Sequence, residues 1–262
     1  MDKEKLTRLL VPVRRTARAA GQAILAVLAE GVEAETKADG SPLTRADTAS
    51  DAAIAAGLKT LEPAVPIVSE EGDLERFRGE SFEQFWLVDP LDGTKELLKG
   101  LGEYTVNIAL ICDGEPILGV IVVPATGVGY FAARGVGAFK VPPGGEPRPI
   151  HANQCEHPRS AVASRSHLSE QTKEYLARLN VTEIVRRGSS LKFCAVAEGQ
   201  ADIYPRHGPT WLWDSAAGAA IAREAGCRVV DLAGRPLTYG LAGGMKHSGF
   251  IVYPCTLRLP AG

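Results

Sequence analysis

The first part of the chain has the hydrophobic periodicity of a helix. Apolar residues recur at spacings of three and four, as a helix with one buried face requires. This stripe consists of Leu10, Val13, Ala17, Ala20, Ile24 and Val27. We expect Pro12 in the first turn, where its missing N–H has little cost. A second helical pattern covers residues 44–61, and Thr44 and Asp47 have the spacing of a capping box at its start.

Short apolar runs then replace the helical pattern and predict strands. They occupy residues 66–68, 85–88, 104–111, 116–123, 128–133 and 138–141. Asp113-Gly114 between two of these runs is a strong hairpin signal, and Arg134-Gly135 predicts a second hairpin. We therefore expect antiparallel strands with helices packed outside them.

The composition becomes loop-like at Pro142-Pro143-Gly144-Gly145, and we place a domain boundary near residue 150. Beyond it, predicted helices (169–179, 190–199, 214–225) alternate with predicted strands (182–186, 201–204, 227–230). Such alternation is typical of an α/β arrangement. We predict an α+β domain over 1–150 that carries the acidic motifs, and an α/β domain over 151–262 that completes the active site and the substrate pocket.

Charge and cysteine content narrow the function classes. The net charge of −2 gives no broad basic surface for a nucleic acid polymer, so anionic ligands must be held by local groups. The five cysteines are scattered without a C-x-x-C spacing, which favours reduced thiols in the cytoplasm. No apolar stretch approaches the roughly 20 residues of a membrane span, so we predict no transmembrane segment. The sequence leaves open a homodimer and peripheral association with the inner membrane.

The densest chemical signal is Asp89-Pro90-Leu91-Asp92-Gly93-Thr94, which follows the apolar run 85–88 directly. Two carboxylates three residues apart on a turn can converge on one side, and Gly93 lets the backbone approach a ligand closely. Such hard oxygen ligands suit Mg²⁺, which commonly shares its site with a substrate phosphate. The alternative is an Asp-rich turn without a ligand.

Four further acidic residues are ambiguous when each is taken alone. Glu70 and Glu71 follow a predicted strand and have the alternative of simple solvation. Asp214 begins an alanine-rich helix and could serve only as its N-cap. Asp47 could serve only in a capping box with Thr44. Together with the motif at 89–94 they favour a shared metal site.

These motifs resemble the lithium-sensitive inositol monophosphatase superfamily. The resemblance rests on 89–94, Glu70-Glu71 and Trp213-Asp214-Ser215-Ala216-Ala217-Gly218. Further motifs resemble its 3′(2′),5′-bisphosphate nucleotidase branch, the bacterial type linked to sulfate assimilation. They lie at residues 37–44, 102–109, 164–167, 188–194 and 204–209. His207 departs from the aromatic residue, such as Phe, that we expect there.

The resemblance implies a layered αβαβα sandwich with two or three Mg²⁺ ions and inhibition by Li⁺. Glu70, Asp89 and the carbonyl of Leu91 would hold one ion. Asp92 and Asp214 would hold a second, with Asp89 as the bridge.

The same resemblance implies roles for the remaining site residues. Gly93 and Thr94 would present backbone N–H groups to the scissile phosphate, and Thr94 with Asp47 would orient a metal-bound water beside Glu70. The predicted substrate contacts are Glu70, Leu91, Asp92, Gly93, Thr94, Ser164, Arg165, Gly188, Ser189, Ser190, Lys192, Arg206 and Asp214.

The function we predict is hydrolysis of the 3′-phosphate of adenosine 3′,5′-bisphosphate to give AMP and phosphate. An inositol-1-phosphate or other sugar-phosphate phosphatase with the same metal core is the first alternative. A non-catalytic metal- or nucleotide-binding regulator is the alternative from another class. Five acidic side chains, those of Asp47, Glu70, Asp89, Asp92 and Asp214, are all present. Their presence argues against a regulator, because a binding module needs no poised water.

Overall fold

The computed structural model describes residues 1–31, 34–36, 42–61, 65–77, 79–164 and 168–259. Two of the sequence motifs therefore lie partly outside these ranges. Residues 37–41 of the motif at 37–44, and Arg165, Ser166 and His167, lie outside the described residues.

The larger sheet has seven strands in chain order. They are β3 (Ile67–Ser69), β4 (Gln84–Asp92), β5 (Thr105–Cys112), β6 (Glu115–Val123), β7 (Val128–Ala133), β8 (Gly137–Val141) and β9 (Arg148–Pro149), and a separate antiparallel ribbon contains β1 (Ala34–Thr36) and β2 (Pro42–Thr44). β3 runs parallel to β4, and every other neighbouring pair in the sheet is antiparallel. Asp113 and Gly114 both have positive φ in the first hairpin, as its turn type requires. The predicted antiparallel strands and both hairpins are confirmed.

The helices and the remaining strands complete the fold. The helices are α1 (Lys3–Glu30), α2 (Arg45–Lys59), α3 (Thr94–Leu98), α4 (Glu170–Arg178), α5 (Leu191–Ala197) and α6 (Leu212–Glu224). The strands of the second half are β10 (Ser160–Ser164), β11 (Glu183–Arg187), β12 (Tyr204–Trp211), β13 (Cys227–Asp231) and β14 (Lys246–Pro254). β10 and β11 form a parallel pair, and a second sheet has the antiparallel order β12-β14-β13.

Three hydrophobic clusters fill the spaces between five layers, and one of them extends over two of these spaces. Alternate residues of β4 face opposite ways, so that Trp86 packs in the cluster with α1 and α2 and Leu87 in the cluster with α5 and α6. The second cluster also contains Phe250 from the smaller sheet, and a third places Leu176 of α4 against Ile251. The layers are therefore helix, sheet, helix, sheet, helix, which confirms the expected αβαβα sandwich.

Helix α1 begins earlier than the sequence pattern predicts. Asp2 caps it, with its carboxylate accepting from the N–H of Lys5 at 2.8 Å, and Leu6 and Leu9 extend the buried stripe backwards. Pro12 consequently lies inside the helix rather than in its first turn, and that expectation is wrong. The stripe of apolar contacts outweighs the backbone hydrogen bond that Pro12 cannot make.

Helix α6 lies close to the larger sheet and to helix α5. A Cβ atom on Gly119 of β6 would overlap the carbonyl oxygen of Ala217 and approach Ala220. A Cβ atom on Gly218 would overlap the ring of Phe193 on α5. Small residues on facing positions thus set how closely this helix approaches the sheet.

The second half differs from the predicted pattern at three strands. β12 covers Tyr204–Trp211 instead of 201–204, and the sequence pattern predicts neither β10 nor β14. The strand signal in β12 is weak because two prolines and a glycine interrupt it. Helix α6 packs against strands of the first half and shares their core, and a domain boundary near residue 150 stays a prediction.

Candidate active site

Three carboxylates from separate elements converge at the end of β4. Asp89 is 1% exposed, and its Oδ1 accepts a hydrogen bond from the N–H of Leu91 at 3.1 Å. Glu70 follows the parallel strand β3, and its N–H donates to the carbonyl of Val88 at 3.1 Å. Asp214 lies in the first turn of α6. One carboxylate oxygen from each of Glu70, Asp89 and Asp214 lies within 4.8 Å of the others.

Asp214 does not cap α6, contrary to the alternative considered from the sequence. The N-cap is Trp211, and the helix begins at Leu212. The backbone N–H of Trp211 instead acts on the Asp214 carboxyl as a donor that lowers its pKa. The first turn therefore holds this carboxylate at the edge of the sheet, facing the other acidic residues.

The electrostatics of the cluster favour a bound cation. Burial raises the pKa of Asp89 well above its ordinary value, and the charges of Glu70, Asp92 and Asp214 raise it further. Burial, followed by the charges of Asp92 and Glu70, likewise raises the pKa of Asp214. Buried carboxylates this close together repel one another unless positive charge lies between them. A set of hard oxygen donors fits Mg²⁺, so these residues suit the predicted metal.

Asp92 ends β4 beside this cluster and has contacts of its own. Burial raises its pKa to about 6, although the charge of Lys192, the backbone N–H of Ser190 and the side chain of Asn107 act in the opposite direction. Its backbone carbonyl accepts from Ser189 Oγ at 2.9 Å. Asp92 is thus fixed by groups from the second half of the chain.

Asp47 and Thr94 meet across the site. The Oδ2 atom of Asp47 accepts hydrogen bonds from the N–H and the hydroxyl of Thr44, both at 2.7 Å, which confirms the capping box. Its other oxygen, Oδ1, accepts from the hydroxyl of Thr94 at 3.3 Å. Thr94 is the first residue of α3, directly after Gly93, whose φ of 95° suits glycine. The carboxylate of Asp47 therefore both caps helix α2 and contacts Thr94.

A pocket of about 190 Å³ adjoins the acidic residues. Its lining includes Asp92 and Asp214 together with four of the other predicted substrate contacts, namely Ser164, Ser189, Lys192 and Arg206. Arg206 donates through Nε to Thr210 Oγ1 at 3.2 Å, and Lys192 donates through Nζ to the carbonyl of Ser189. The lining of the pocket thus combines two positive side chains with carboxylates.

Gly188 and Ser190 lie behind that pocket rather than in its lining. Gly188 is buried, and its N–H donates to Glu103 Oε2 at 2.8 Å. Ser190 is 2% exposed and donates its hydroxyl to Asn107 Oδ1 at 2.7 Å. Both residues make contacts with β5 or with the loop before it.

No site role was predicted from the sequence for several residues of this region, namely Glu103, Thr105, Asn107, Tyr204 and Thr210, although most of them lie in its family-like motifs. Thr105 and Asn107 carried a usable signal, because they are the polar positions of the strand Thr105–Cys112, which is otherwise apolar and fully buried. Buried polar side chains need partners, so such positions point to a network.

The match to known proteins agrees with this geometry. The model of the inositol monophosphatase family matches residues 5–250, which is nearly the whole chain. The protein belongs to the inositol monophosphatase family. Members of this family are metal-dependent enzymes, and the cluster of Glu70, Asp89 and Asp214 provides a fitting set of ligands.

Individual relatives refine the comparison within the family. The chain is 46% identical over 246 residues to the 3′(2′),5′-bisphosphate nucleotidase CysQ of Escherichia coli K12, covering 93% of this chain and 99% of that protein. A histidinol-phosphatase of Mycobacterium tuberculosis is 34% identical, with 87% and 88% of the two chains covered. The crystal structure of CysQ from Bacteroides thetaiotaomicron has a TM-score of 0.80 and 39% identity, covering 95% of this chain and 97% of that one.

The helices also bear on membrane association. Within the part of the chain that the structure describes, none is both long enough and apolar enough to span a bilayer.

Proposed function

We propose that the protein is a Mg²⁺-dependent 3′(2′),5′-bisphosphate nucleotidase that converts adenosine 3′,5′-bisphosphate to AMP and phosphate. One observation carries the proposal: a cluster of carboxylates adjoins a pocket that contains Lys192 and Arg206. A substrate with two phosphates has one for each region. The high identity to nucleotidases named CysQ supports this assignment.

The carboxylates of Glu70, Asp89, Asp92 and Asp214, with the carbonyl of Leu91, would hold the ions. Bound Mg²⁺ supplies neutralisation of phosphoryl charge and acidification of water. Asp89 is buried in β4, one residue beyond the last pair with β3, and as the resemblance implies it would serve both ions. This ligand set rests on the geometry and on the family resemblance together.

Thr94 and Asp47 would prepare the attacking water. The Thr94 hydroxyl donates a hydrogen bond to Asp47 Oδ1, so the oxygen of Thr94 can accept a hydrogen bond from the water. Asp47 cannot rotate away, because its second oxygen is held by Thr44. The backbone N–H groups of Gly93 and Thr94 would then face the scissile phosphate. Attack of water forms a new bond between its oxygen and phosphorus and breaks the bond to the ribose 3′ oxygen, which gains one proton in the net reaction and leaves as the hydroxyl of AMP.

Arg206 and Lys192 would recognise the 5′-phosphate, which is not cleaved. A guanidinium can bind two phosphate oxygens at once, and its Nε bond to Thr210 fixes the plane of Arg206. Burial lowers the pKa of Lys192, and the charge of Asp92 opposes this effect. An anion in the pocket would stabilise the charged form of this lysine.

An inositol-phosphate or sugar-phosphate phosphatase is the second candidate, because the family as a whole supports it. It gives no role to the paired positive side chains of the pocket, since such substrates carry a single phosphate. Inhibition by Li⁺, the link to sulfate assimilation, a cytoplasmic location and a homodimer stay predictions, as does peripheral association with the inner membrane.

Phosphate release from three substrates, measured side by side, tests the proposal. We expect adenosine 3′,5′-bisphosphate to be hydrolysed with the highest kcat/KM, ahead of adenosine 3′-monophosphate and inositol 1-phosphate, and only with Mg²⁺ present. Chromatography of the product should show 5′-AMP rather than the 3′ isomer. Preference for inositol 1-phosphate would establish the second candidate, and failure to hydrolyse any of the three would contradict both.

A further inference from the structure

A hydrogen-bonded network of buried side chains adjoins Asp92, which pairs with Thr105 of β5. Ser190 joins it to β5: its hydroxyl donates to Asn107 Oδ1 at 2.7 Å and lies 2.9 Å from Thr105 Oγ1. Because the Ser190 proton goes to Asn107, the Thr105 hydroxyl donates to Ser190. All three side chains are buried, with Ser190 2%, Asn107 1% and Thr105 0% exposed.

The hydrogen bond from Ser190 fixes which end of the Asn107 amide faces Asp92. Its oxygen is taken by the serine hydroxyl, so its Nδ2 group points the other way. Among the residues that the structure describes, this buried Nδ2 has no partner within ordinary hydrogen-bond distance. Thr105 pairs with Asp92 across the sheet, and Asn107 is two residues further along β5 on the same face, so its amide lies beside the acidic end of β4. As a donor there it lowers the pKa of Asp92.

Asp92 is held from a second direction by the segment that carries Ser190. The backbone N–H of Ser190 donates to the Asp92 carboxylate, and the Ser189 hydroxyl is within reach of the Asp92 carbonyl. Ser189 has a φ of 48°, a left-handed conformation that is costly for a residue other than glycine. The contacts of the two serines with Asp92 and β5 accompany that strained turn.

We propose that Asn107 is a positioning residue, which orients the carboxylate of Asp92 for metal binding and is itself oriented by the hydroxyl of Ser190. The inference rests on the proposed function, since it takes Asp92 as a ligand of the second ion. Groups that orient metal ligands commonly change metal affinity or activity by about 10- to 100-fold when they are replaced. Asn107 would therefore act on the metal through Asp92, without contact with the substrate.

Asn107→Asp is the sharpest test, because it keeps the size of the side chain and an acceptor for Ser190. It replaces the Nδ2 donor by an oxygen that repels the Asp92 carboxylate. We expect the Mg²⁺ concentration for half-maximal activity to rise by about 10- to 100-fold. The KM for the bisphosphate nucleotide at saturating Mg²⁺ should change by less than about threefold, because the pocket cations are untouched. Binding of Mn²⁺ without substrate, followed by electron paramagnetic resonance, should weaken in parallel.

Two further variants separate positioning from folding. Asn107→Leu removes the donor without adding charge and should also raise the Mg²⁺ requirement, while Ser190→Ala should have a smaller effect of about 2- to 10-fold. The matched control is Asn153→Leu, because Asn153 Nδ2 also donates to a carboxylate, that of Asp202 at 2.8 Å, outside the pocket. The control should leave the Mg²⁺ requirement unchanged.

The outcomes distinguish this inference from the proposed function. If the parent protein shows no Mg²⁺-dependent hydrolysis, the proposed function fails. If the parent is active and the Asn107 variants lose thermal stability or kcat while their Mg²⁺ requirement and Mn²⁺ affinity match the parent, Asn107 is only structural and the inference is overturned.

Discussion

The acidic cluster and the cationic pocket are built by different means, although they touch. Glu70, Asp89 and Asp214 stand at the ends of strands or in the first turn of a helix, where backbone hydrogen bonds fix each one. Lys192 and Arg206 reach the pocket on long side chains, which are directed by hydrogen bonds to Ser189 and Thr210.

This difference separates the expected consequences of substitution. A ligand fixed by the main chain cannot be replaced by a neighbour, so its loss should stop the reaction. A long side chain steered by one hydrogen bond should mainly tune affinity and selectivity. Chemistry and specificity therefore depend on different parts of the same site.

Asp89→Asn tests the acidic cluster and has the largest expected effect. We expect kcat to fall by at least about a hundredfold, corresponding to about 2.7 kcal/mol, because one buried charge would serve two ions. Steady-state turnover should be measured together with thermal stability. Asp202→Asn is the control, since Asp202 is also buried but accepts its hydrogen bonds outside the site. Turnover of the Asp89 variant within about tenfold of the parent would contradict the bridging role.

Exchange of the metal probes the acidic cluster alone. We expect a chelator to remove activity and Mg²⁺ to restore it, while Ca²⁺ gives less than about a tenth of the Mg²⁺ rate because its coordination is larger and looser. Li⁺ in the millimolar range should inhibit. Phosphate release in each metal checks this. Full activity in Ca²⁺ would show that tight octahedral geometry is unnecessary, and insensitivity to Li⁺ would count against the implied inhibition.

Arg206→Ala probes the cationic pocket. We expect the preference for adenosine 3′,5′-bisphosphate over the 3′-monophosphate to fall by about 10- to 100-fold, chiefly through KM, since a charge-assisted contact contributes roughly 1.5–3 kcal/mol. Values of kcat/KM for both substrates measure the change. Arg235→Ala is the control, because Arg235 pairs with Asp231 on the surface. Equal losses on the two substrates would place Arg206 at the scissile phosphate or in the fold.

Thr210→Val should give the smallest effect. It keeps the shape of the side chain but removes the hydroxyl that accepts from Arg206 Nε. We expect KM for the bisphosphate nucleotide to rise by about 2- to 10-fold, the range for loss of one hydrogen bond. A change in kcat without a change in KM would mean that Thr210 does not act through Arg206.

The sequence predicted the elements whose local pattern agrees with their final packing. The hairpin at Asp113-Gly114, helix α2 with Thr44 and Asp47, and the acidic turn after β4 are specified by residues near one another in the chain. The αβαβα layering and the family came from motifs together rather than from any single residue.

Features that depend on distant contacts were harder to predict. The length of β12 depends on its pairing with β14, which overrides the prolines in its sequence. The partnership of Asn107 with Ser190 joins residues 83 positions apart. Asp214 is an N-cap by local pattern, and only the packed start of α6 shows that Trp211 takes that place.

The close contact between Gly119 and helix α6 sets the distance between this helix and the larger sheet. The helix rests on β6 through bare backbone and alanines, so the thickness of that contact determines how far Asp214 stands from the carboxylates of the sheet. A methyl group added at Gly119 would overlap the backbone of α6, so the helix would have to move away from the sheet and Asp214 would move with it. A glycine outside the acidic cluster thereby helps to determine the spacing of the carboxylates between which the metal ions would lie.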